Sequence, residues 1–225
     1  MSSSSKQIAV TKTSLKVPLR LYMNSGELEA GVDEAGRGCL MGRVYAAAVV
    51  MPTTYPEDDH MYMEIRDSKK VSPAKRKRLE AYIKDTAVTF GIGYADVEEI
   101  DTLNIYQATL KAMHRALDQL DRSMDRLLVD GDRFKPYLDK FDNYPSYSCV
   151  IRGDGEYLSI AAASILAKCA RDDYVLELIE ECPEIDLYGW KNNKGYGTKQ
   201  HMEGIRKHGI TVYHRTTFGP CKGVM

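Results

Sequence analysis

Four acidic residues in this chain are positioned so that they could act together. Asp33 and Glu34 follow the apolar step "AGV", Asp130 ends the apolar run "LLV", and Asp172 lies in a stretch rich in small residues. The ends of neighbouring strands converge, and converging carboxylates repel one another unless some are protonated or a cation lies among them. Hard oxygen ligands without a Cys or His cluster favour Mg²⁺ or Mn²⁺. The four acids therefore indicate a site for divalent cations.

Such a site suits the hydrolysis of phosphate esters. Two ions about 3.5 to 4 Å apart stabilise both the attacking and the leaving oxygen of an in-line displacement at phosphorus. The acid pair leads into Gly36-Arg37-Gly38, and glycine backbone lets a phosphate approach closely and offers N–H donors to it. A glycine-rich hairpin that carries two exposed acids is the other interpretation of the same residues.

The elements that must position these acids follow from the hydrophobic pattern. Apolar runs predict five strands, and capping residues with helical periodicity predict four helices. Small residues in the third helix would let it lie close to a sheet. One α/β domain built on a mixed sheet flanked by helices is therefore expected. The strands are predicted at 28–33, 44–51, 87–95, 127–129 and 148–153, the helices at 73–85, 104–120, 156–181 and 199–208, and a turn and a loop at 96–101 and 182–198.

The composition is that of an ordinary globular protein. The chain has 225 residues, of which 44% are hydrophobic and 28% charged, and no run approaches the roughly 18 apolar residues of a membrane span. Residues 1–27 are predicted to be a polar tail and lead-in without a signal sequence, 28–218 a single catalytic domain, and 219–225 a short tail. We expect a cytoplasmic monomer with free thiols.

The net charge of −1 argues against binding of nucleic acid by bulk charge, although Lys69–Arg78 form a local basic run.

Five segments of the chain resemble one known family. The sequences "GVDEAGRGCLMGRV", "DSKKVSP", "LLVDGD", "AAASILAKCARD" and "NNKGYGTKQH…HRTTF" occur in the order found in type 2 ribonuclease H, the ribonuclease HII family. The resemblance runs from about Leu28 to Phe218. It implies a ribonuclease H-like fold and an endonuclease that cuts the RNA strand of RNA–DNA hybrids. It also implies cutting at ribonucleotides embedded in duplex DNA, with a 5′-phosphate and a 3′-hydroxyl as products.

The resemblance also implies a set of metal ligands. The family's metal-binding quartet falls on Asp33, Glu34, Asp130 and Asp172, and two divalent ions are expected. Asp154, in the sequence "RGDGE", is a further acid that could approach the site. We expect Asp154 to be part of a glycine-flanked turn and rank it below the quartet.

The substrate-binding residues implied by the resemblance surround the acids in sequence. Gly36-Arg37-Gly38 is similar to the family's GRG motif, which contacts nucleic acid where DNA meets RNA and where the 2′-hydroxyl can be recognised. Tyr196 matches the family's tyrosine at the sugar of that junction. Lys168 is four residues from both Ser164 and Asp172, so it either faces the site or pairs with Asp172. Lysines and other basic residues that could contact the phosphate backbone are Lys69 in the loop Asp67-Ser68-Lys69, Lys194, His214 and Arg215.

The chain departs from the family pattern at two places. Cys39 and Arg43 stand where the family usually has proline, and Arg43 either touches a phosphate or lies in solvent. The connection from Arg133 to Tyr147 is long, which leaves the local geometry near Asp130 open.

The same sequence allows two other functions. The sequence "LLVDGD" also resembles the aspartate-nucleophile phosphatases, in which Asp130 would attack phosphorus and Asp132 would act as the acid. That interpretation gives "DEAGRG" and Tyr196 no role. The chain could also be a nucleic-acid-binding module that has kept only the fold. Four converging acids oppose this alternative, because negative charge beside phosphates weakens binding.

Overall fold

The computed structural model describes residues 18–66 and 68–224 and contains a five-stranded mixed sheet. The strand order is β3-β2-β1-β4-β5, with β1 antiparallel to β2, β2 antiparallel to β3, and β4 parallel to both β1 and β5. The predicted α/β class with a mixed sheet is therefore confirmed. The strands are β1 Glu29–Ala35, β2 Val44–Val50, β3 Thr89–Ala95, β4 Arg126–Asp130 and β5 Ser146–Val150.

Helices cover both faces of the sheet. One layer is formed by α3, whose apolar side packs on β2 and β3, and the other by α4, with α1 packed against it. The predicted close approach of α4 is present at Gly31, where an added β-carbon would lie 2.1 Å from the carbonyl carbon of Ser159. The helices are α1 Pro73–Thr86, α2 Val97–Leu103, α3 Ile105–Leu117, α4 Leu158–Glu181, α5 Trp190–Asn193 and α6 Lys199–His208, with 3-10 turns at Met61–Glu64, Ser68–Lys70, Gly153–Gly155 and Pro183–Tyr188.

The parallel pair β1 and β4 brings two of the predicted acids to the same edge of the sheet. Val32 is opposite Val129 in the register of these strands. Asp33 and Asp130 are the next residues of their strands, and parallel strands end on the same side. The sheet register therefore makes these two acids neighbours.

Three predicted elements differ from the structure. β5 ends at Val150, because Arg152 has a φ of +59° and begins the 3-10 turn Gly153–Gly155. The predicted turn at 96–101 is largely helical, since Asp96 and Glu99 form a capping box in which each side chain accepts the other's backbone N–H. The predicted loop at 182–198 contains two short helical turns, 183–188 and 190–193.

The segments before and after the sheet pack against other parts of the molecule. Arg20 exchanges backbone hydrogen bonds of 2.8 and 2.9 Å with Glu156 and Leu158, and Cys221 is fully buried near the other end of the chain. Residues 1–17 of the predicted tail and lead-in at 1–27 lie outside the described residues. The domain boundaries at 27/28 and 218/219 stay predictions. No helix in the described ranges is long and apolar enough to cross a membrane.

Candidate active site

A groove of about 280 Å³ opens at the carboxyl ends of β1 and β4. It brings together three of the four predicted metal ligands, all but Asp172, and most of the predicted substrate-binding residues. Lys194, His214 and Arg215 do not line it. The groove combines acids, basic side chains, two serines, an aromatic ring and the glycine-rich turn, and its lining is Asp33, Glu34, Ala35, Gly36, Arg37, Gly38, Ser68, Lys69, Asp130, Asp154, Ser164, Lys168 and Tyr196.

Asp33 is the buried acid at the base of this groove, with 5% of its surface exposed. Its Oδ1 accepts the backbone N–H of Glu34 at 2.7 Å. Burial, followed by the negative charges of Glu34 and Asp130, raises the pKa of Asp33 well above its usual range, and a hydrogen bond with Ser164 partly opposes the rise. A cation among these groups would relieve the repulsion that raises the pKa.

Glu34 lies beside two positive side chains. Its Oε1 accepts a hydrogen bond from Arg37 Nη1 at 3.3 Å. Burial raises the pKa of Glu34, while Arg37 and Lys69 lower it and the charge of Asp130 adds to the rise. The groove therefore combines negative charge, which suits a metal ion, with positive charge, which suits a phosphate.

Asp130 and Asp154 are linked through a turn. Asp130 Oδ1 accepts the backbone N–H of Gly153 at 2.7 Å, which ties the 3-10 turn Gly153–Gly155 to the end of β4. Asp154 is in that turn and lines the groove with Asp33, Glu34 and Asp130. The sequence prediction of a glycine-flanked turn agrees with the structure, and the turn itself carries the acid to the groove.

Asp172 does not join the other acids. It lies on α4, where its carboxylate accepts hydrogen bonds from Lys168 Nζ at 2.6 Å and from Arg76 Nη1 at 3.1 Å. An α-helix rises 1.5 Å per residue, so Asp172 is about 12 Å further along the axis than Ser164, which lines the groove. Asp172 lines a second groove instead, together with Lys77. Both expectations for Lys168 hold, because it lines the active-site groove and pairs with Asp172.

The Gly36 turn needs glycine for two reasons. Gly36 has a φ of +98°, a conformation that residues with a side chain rarely adopt. A β-carbon at this position would also lie 2.3 Å from Nε of Arg171. By contrast, Gly38 has nothing within 4 Å of such a carbon, so its backbone faces open space.

Arg215 holds this turn from the inside. Its fully buried guanidinium donates hydrogen bonds to the carbonyl oxygens of Arg37 and Gly42, both at 3.0 Å, and of Arg43 at 3.3 Å. The N–H and C=O of a trans peptide point in opposite directions, so the bond to the Arg37 carbonyl aims the N–H of Gly38 away from Arg215. The interpretation of Arg215 as a contact to nucleic-acid backbone is wrong, because its side chain has no exposed surface.

Tyr196 is 39% exposed, and two cations flank its ring. Lys168 Nζ lies 5.5 Å and the guanidinium carbon of Arg171 5.6 Å from the ring centroid, which is within the range of cation–π attraction. The backbone of Tyr196 pairs with that of Cys39 in an isolated antiparallel bridge. Tyr196 is thus joined directly to the Gly36 turn.

A buried histidine pair supports the Tyr196 loop. His201 Nδ1 is 3.0 Å from the carbonyl oxygen of Tyr196, and His201 Nε2 accepts the indole N–H of Trp190 at 3.0 Å. His214 Nδ1 accepts the backbone N–H of Thr211 at 2.9 Å, and its Nε2 is 3.1 Å from His201 Nε2. These contacts assign one proton to each ring, at Nδ1 of His201 and Nε2 of His214. The prediction that His214 contacts phosphate is wrong, because the ring is fully buried.

The remaining predicted features lie apart from the acids. The guanidinium of Arg43 is 4.1 Å from the ring centroid of Tyr94 and 4.7 Å from that of Tyr174, so the side chain packs between two aromatic rings. The ammonium of Lys194 donates to the carbonyl of Lys191 and lines the second groove with Asp172. Asp67 lies outside the described residues.

The long connection after β4 packs against the molecule. Phe134 and Tyr137 are buried against the core, and the Tyr137 hydroxyl donates to Asp118 at 2.6 Å. Asp132, the proposed acid of the phosphatase alternative, is 72% exposed and lies 3.7 Å from Arg133. Asp132 lines a neighbouring groove with Glu34 and Asp130 and is absent from the lining of the groove that holds Asp33.

Sequence reasoning gave no role to three residues in or near the groove. Ser68 and Ser164 face each other with 3.0 Å between their hydroxyl oxygens, and Arg76 holds Asp172. Ser164 was signalled only by its helical spacing to Lys168. Arg76 is 96 positions from Asp172 in sequence, so no local pattern connects them.

The fold is ribonuclease H-like. The crystal structure of ribonuclease H2 from Pyrococcus horikoshii OT3 has a similar fold, with a TM-score of 0.68 at 22% identity, covering 86% of this chain and 94% of that one. The Mn²⁺ complex of Bst-RNase HIII is also similar, with a TM-score of 0.64 at 18% identity, covering 86% of this chain and 68% of that one.

Sequence comparison defines the family. Residues 30–221 match the model of ribonuclease HII, and the chain belongs to the ribonuclease HII family. The ribonuclease HII of Parabacteroides distasonis is 51% identical over 197 residues, 88% of this chain and 92% of that protein. The ribonuclease HII of Phocaeicola vulgatus is 48% identical over the same length and shares. The chain is therefore an endoribonuclease that acts on the RNA of RNA–DNA hybrids, in a family that depends on divalent metal ions.

Proposed function

We propose that this enzyme cuts both the RNA strand of RNA–DNA hybrids and duplex DNA at embedded ribonucleotides, leaving a 5′-phosphate and a 3′-hydroxyl. One observation carries this proposal. A single groove contains acidic side chains, the Gly36–Gly38 turn and the ring of Tyr196. These are the parts needed to hold a scissile phosphate, approach a 2′-hydroxyl and pack against a sugar.

We propose that Asp33, Glu34, Asp130 and Asp154 hold the metal, which replaces Asp172 of the sequence prediction by Asp154. In the described part of the chain no three acidic, His or Cys side chains form a preassembled metal cage, but the donor set in the groove fits a hard divalent cation. Asp33 supports the fit because like charge and burial raise its pKa. Asp172 is a poor ligand because Arg76 and Lys168 already neutralise it.

Two Mg²⁺ or Mn²⁺ ions, when bound, would supply an activated water and stabilise the departing 3′ oxygen. The reaction adds water across the bond between phosphorus and the 3′ oxygen, so the hydroxyl joins the 5′-phosphate and the 3′ oxygen gains the proton. Asp33 must be ionised to hold a cation. Lys69, Lys168 and Arg37 line the groove and attract the phosphate, while the N–H of Gly38 is free of a side chain that would keep the substrate away.

Discrimination of RNA from DNA follows from the turn and the ring. The 2′-hydroxyl is both a donor and an acceptor, and backbone groups of Gly36–Gly38 can approach it closely. Tyr196 packs against the sugar next to it. We further propose that the enzyme acts as a cytoplasmic monomer.

The proposal is tested by cleavage of three labelled duplexes with Mg²⁺ and then with Mn²⁺. One is duplex DNA with a single ribonucleotide, one an RNA–DNA hybrid, and one all DNA. We expect cleavage on the 5′ side of the lone ribonucleotide and within the hybrid RNA, and Asp33→Asn should bind the same substrates but barely cut them. Cleavage of the all-DNA duplex, or wild-type activity of Asp33→Asn, would contradict the proposal.

A further inference from the structure

Arg171 is a fully buried cation without a hydrogen-bond partner. Its side chain has no exposed surface, and none of its three guanidinium nitrogens is hydrogen-bonded within the described ranges. The nearest carboxylate oxygen, Oδ1 of Asp172, is 3.9 Å from Nη1. That distance is too long for a hydrogen bond, and the carboxylate already accepts from Lys168 and Arg76.

Arg215 shows that this interior can satisfy a guanidinium. It is buried to the same extent as Arg171 and lies under the same turn, yet its three nitrogens all donate to backbone carbonyls. The two arginines therefore have different roles. Arg215 fixes the turn, whereas the five N–H groups of Arg171 are not used for that purpose.

Arg171 lies directly beneath the two substrate-facing loops. A β-carbon on Gly36 would be 2.3 Å from its Nε, and one on Gly195 would be 3.3 Å from its Nη2. Its guanidinium carbon is 5.6 Å from the ring centroid of Tyr196. The positive charge is therefore separated from the groove by only the backbone of Gly36 and Gly195 and by this ring.

Arg171 therefore shares one carboxylate with Arg76 and Lys168, which leaves an excess of positive charge. A buried charge whose N–H groups make no hydrogen bond destabilises a fold, because the group loses its hydration without full compensation. Such a charge is useful where a negative group arrives later, since Coulomb attraction is stronger in a poorly solvated interior. In the proposed function, the phosphate next to the ribonucleotide lies in the same groove as the Gly36–Gly38 turn.

We propose that Arg171 is a positioning residue for the substrate, whose charge beneath Gly36 and Tyr196 draws a phosphate onto the turn and holds the Tyr196 ring for the sugar. The inference rests on the proposed use of this groove for the ribonucleotide junction. It assigns Arg171 a role in binding rather than in folding. It therefore predicts that removal of the charge affects KM and leaves the protein folded.

The test compares Arg171→Met, which keeps the length and loses the charge, with Arg171→Lys, which keeps the charge. We expect Arg171→Met to have a melting temperature equal to or above that of the wild type, because a desolvated charge is removed. Its KM for duplex DNA with one ribonucleotide should rise about tenfold to a hundredfold, as expected for loss of a charged interaction, with a smaller effect on kcat. Arg171→Lys should recover part of the KM.

Arg122→Met is the matched control. Arg122 pairs with Asp121 on the surface and precedes β4, so it lies at the end of the sheet opposite to Asp130. This variant should behave like the wild type. Arg171→Met combined with Tyr196→Ala should lose less than the sum of the single changes, because both act through the same ring.

The outcomes separate this inference from the proposed function. Failure of the wild type to cut the substrate would contradict the proposed function. If the wild type cuts, an unchanged KM in Arg171→Met overturns the role of Arg171. A large fall in melting temperature, or failure of Arg171→Met to fold, overturns it too, since the charge would then be part of the fold.

Discussion

Asp154 lines the groove beside Asp33 and Asp130, whereas Asp172 is held by two cations outside it. A carboxylate that is already neutralised gains little from a metal ion. A carboxylate that faces other acids gains more, because the ion removes the repulsion among them. At the scale of single residues, the neighbours of an acid therefore decide its chemistry.

The first prediction compares Asp154→Asn with Asp172→Asn. Loss of a metal ligand removes several kcal/mol of transition-state stabilisation, so we expect Asp154→Asn to reduce kcat by about a hundredfold or more. Asp172→Asn should keep most of kcat and raise KM a few-fold, because Lys168 loses its partner. Steady-state cleavage at several Mg²⁺ concentrations measures both effects. The reverse order of the two variants would restore Asp172 as the ligand.

The second prediction concerns Gly36 and uses Gly38 as its control. Gly36→Ala places a β-carbon at a φ of +98° and against Arg171, so the free energy of unfolding should fall by about 1–3 kcal/mol. Gly38→Ala meets no atom within 4 Å and should change stability by less than about 0.5 kcal/mol. Denaturant unfolding monitors both variants. If Gly36→Ala and Gly38→Ala unfold with the same free energy, the Gly36 turn accepts a side chain without strain.

At the scale of elements, side chains from the C-terminal end of α3 and the residues after it hydrogen-bond to the backbone of the edge strand β3. Gln119 beyond α3 accepts the backbone N–H of Ile92 at 3.2 Å and donates to the Ile92 carbonyl at 2.7 Å. Arg115 donates to the carbonyl of Tyr94 at 2.8 Å. Unpaired groups on an edge strand are a template for pairing with another chain. These side chains occupy positions that a second strand would otherwise use.

The third prediction follows from this contact. Gln119→Ala should lower the free energy of unfolding by about 1–2 kcal/mol, through the loss of two hydrogen bonds, and should increase light scattering on prolonged heating. Gln107→Ala, within α3, is the control, because Gln107 interacts at the surface with Lys135. Both variants are compared by denaturant unfolding and static light scattering. Equal scattering from the two would argue that the edge is protected by other means.

At the scale of the whole molecule, the histidine pair links stability to pH. Burial, followed by the charge of His201, lowers the pKa of His214 to about 4, and burial also lowers the pKa of His201. Each ring has one proton and is fully hydrogen-bonded in that state, so a second proton has no acceptor. The folded protein therefore resists protonation that the unfolded chain accepts.

The fourth prediction gives the sign of this effect. His214 contributes stability that is present above its unfolded pKa of about 6.5 and is lost as the pH falls toward about 4. The loss from this one group should reach about 3 kcal/mol. Melting temperatures between pH 7 and pH 4 should show a wild-type advantage over His214→Asn that shrinks on acidification. Exposed His60→Asn is the control, and an advantage independent of pH would contradict the assigned protonation.

Much of the site could be predicted from local sequence. Asp33 and Asp130 follow apolar runs that form buried strands, and the two strands are parallel, so their carboxyl ends lie at the same edge of the sheet. Gly36 could be predicted because a tight turn after the acids needs a residue without a side chain. The family was visible in five segments, because motifs that carry chemistry are short and continuous.

The capping box at Asp96 was also present in the sequence and was missed. An Asp followed three residues later by Glu is a helix signal, but the short acidic stretch looked like a turn. The end of β5 was missed for a different reason. Arg152 adopts a left-handed conformation that residues other than glycine seldom take. An arginine at this position therefore did not indicate the end of the strand.

The sequence by itself determined the family, the α/β class, the pair Asp33 and Glu34, and Asp130, since each depends on residues close together in the chain. Only the tertiary structure decided that Asp154 shares their groove, that Asp172 pairs with Arg76, and that Arg215 is buried. The physical reason is the rise of α4. The helix carries Asp172 about 12 Å past the serine that lines the groove, while a turn anchored on Asp130 brings Asp154 back to it.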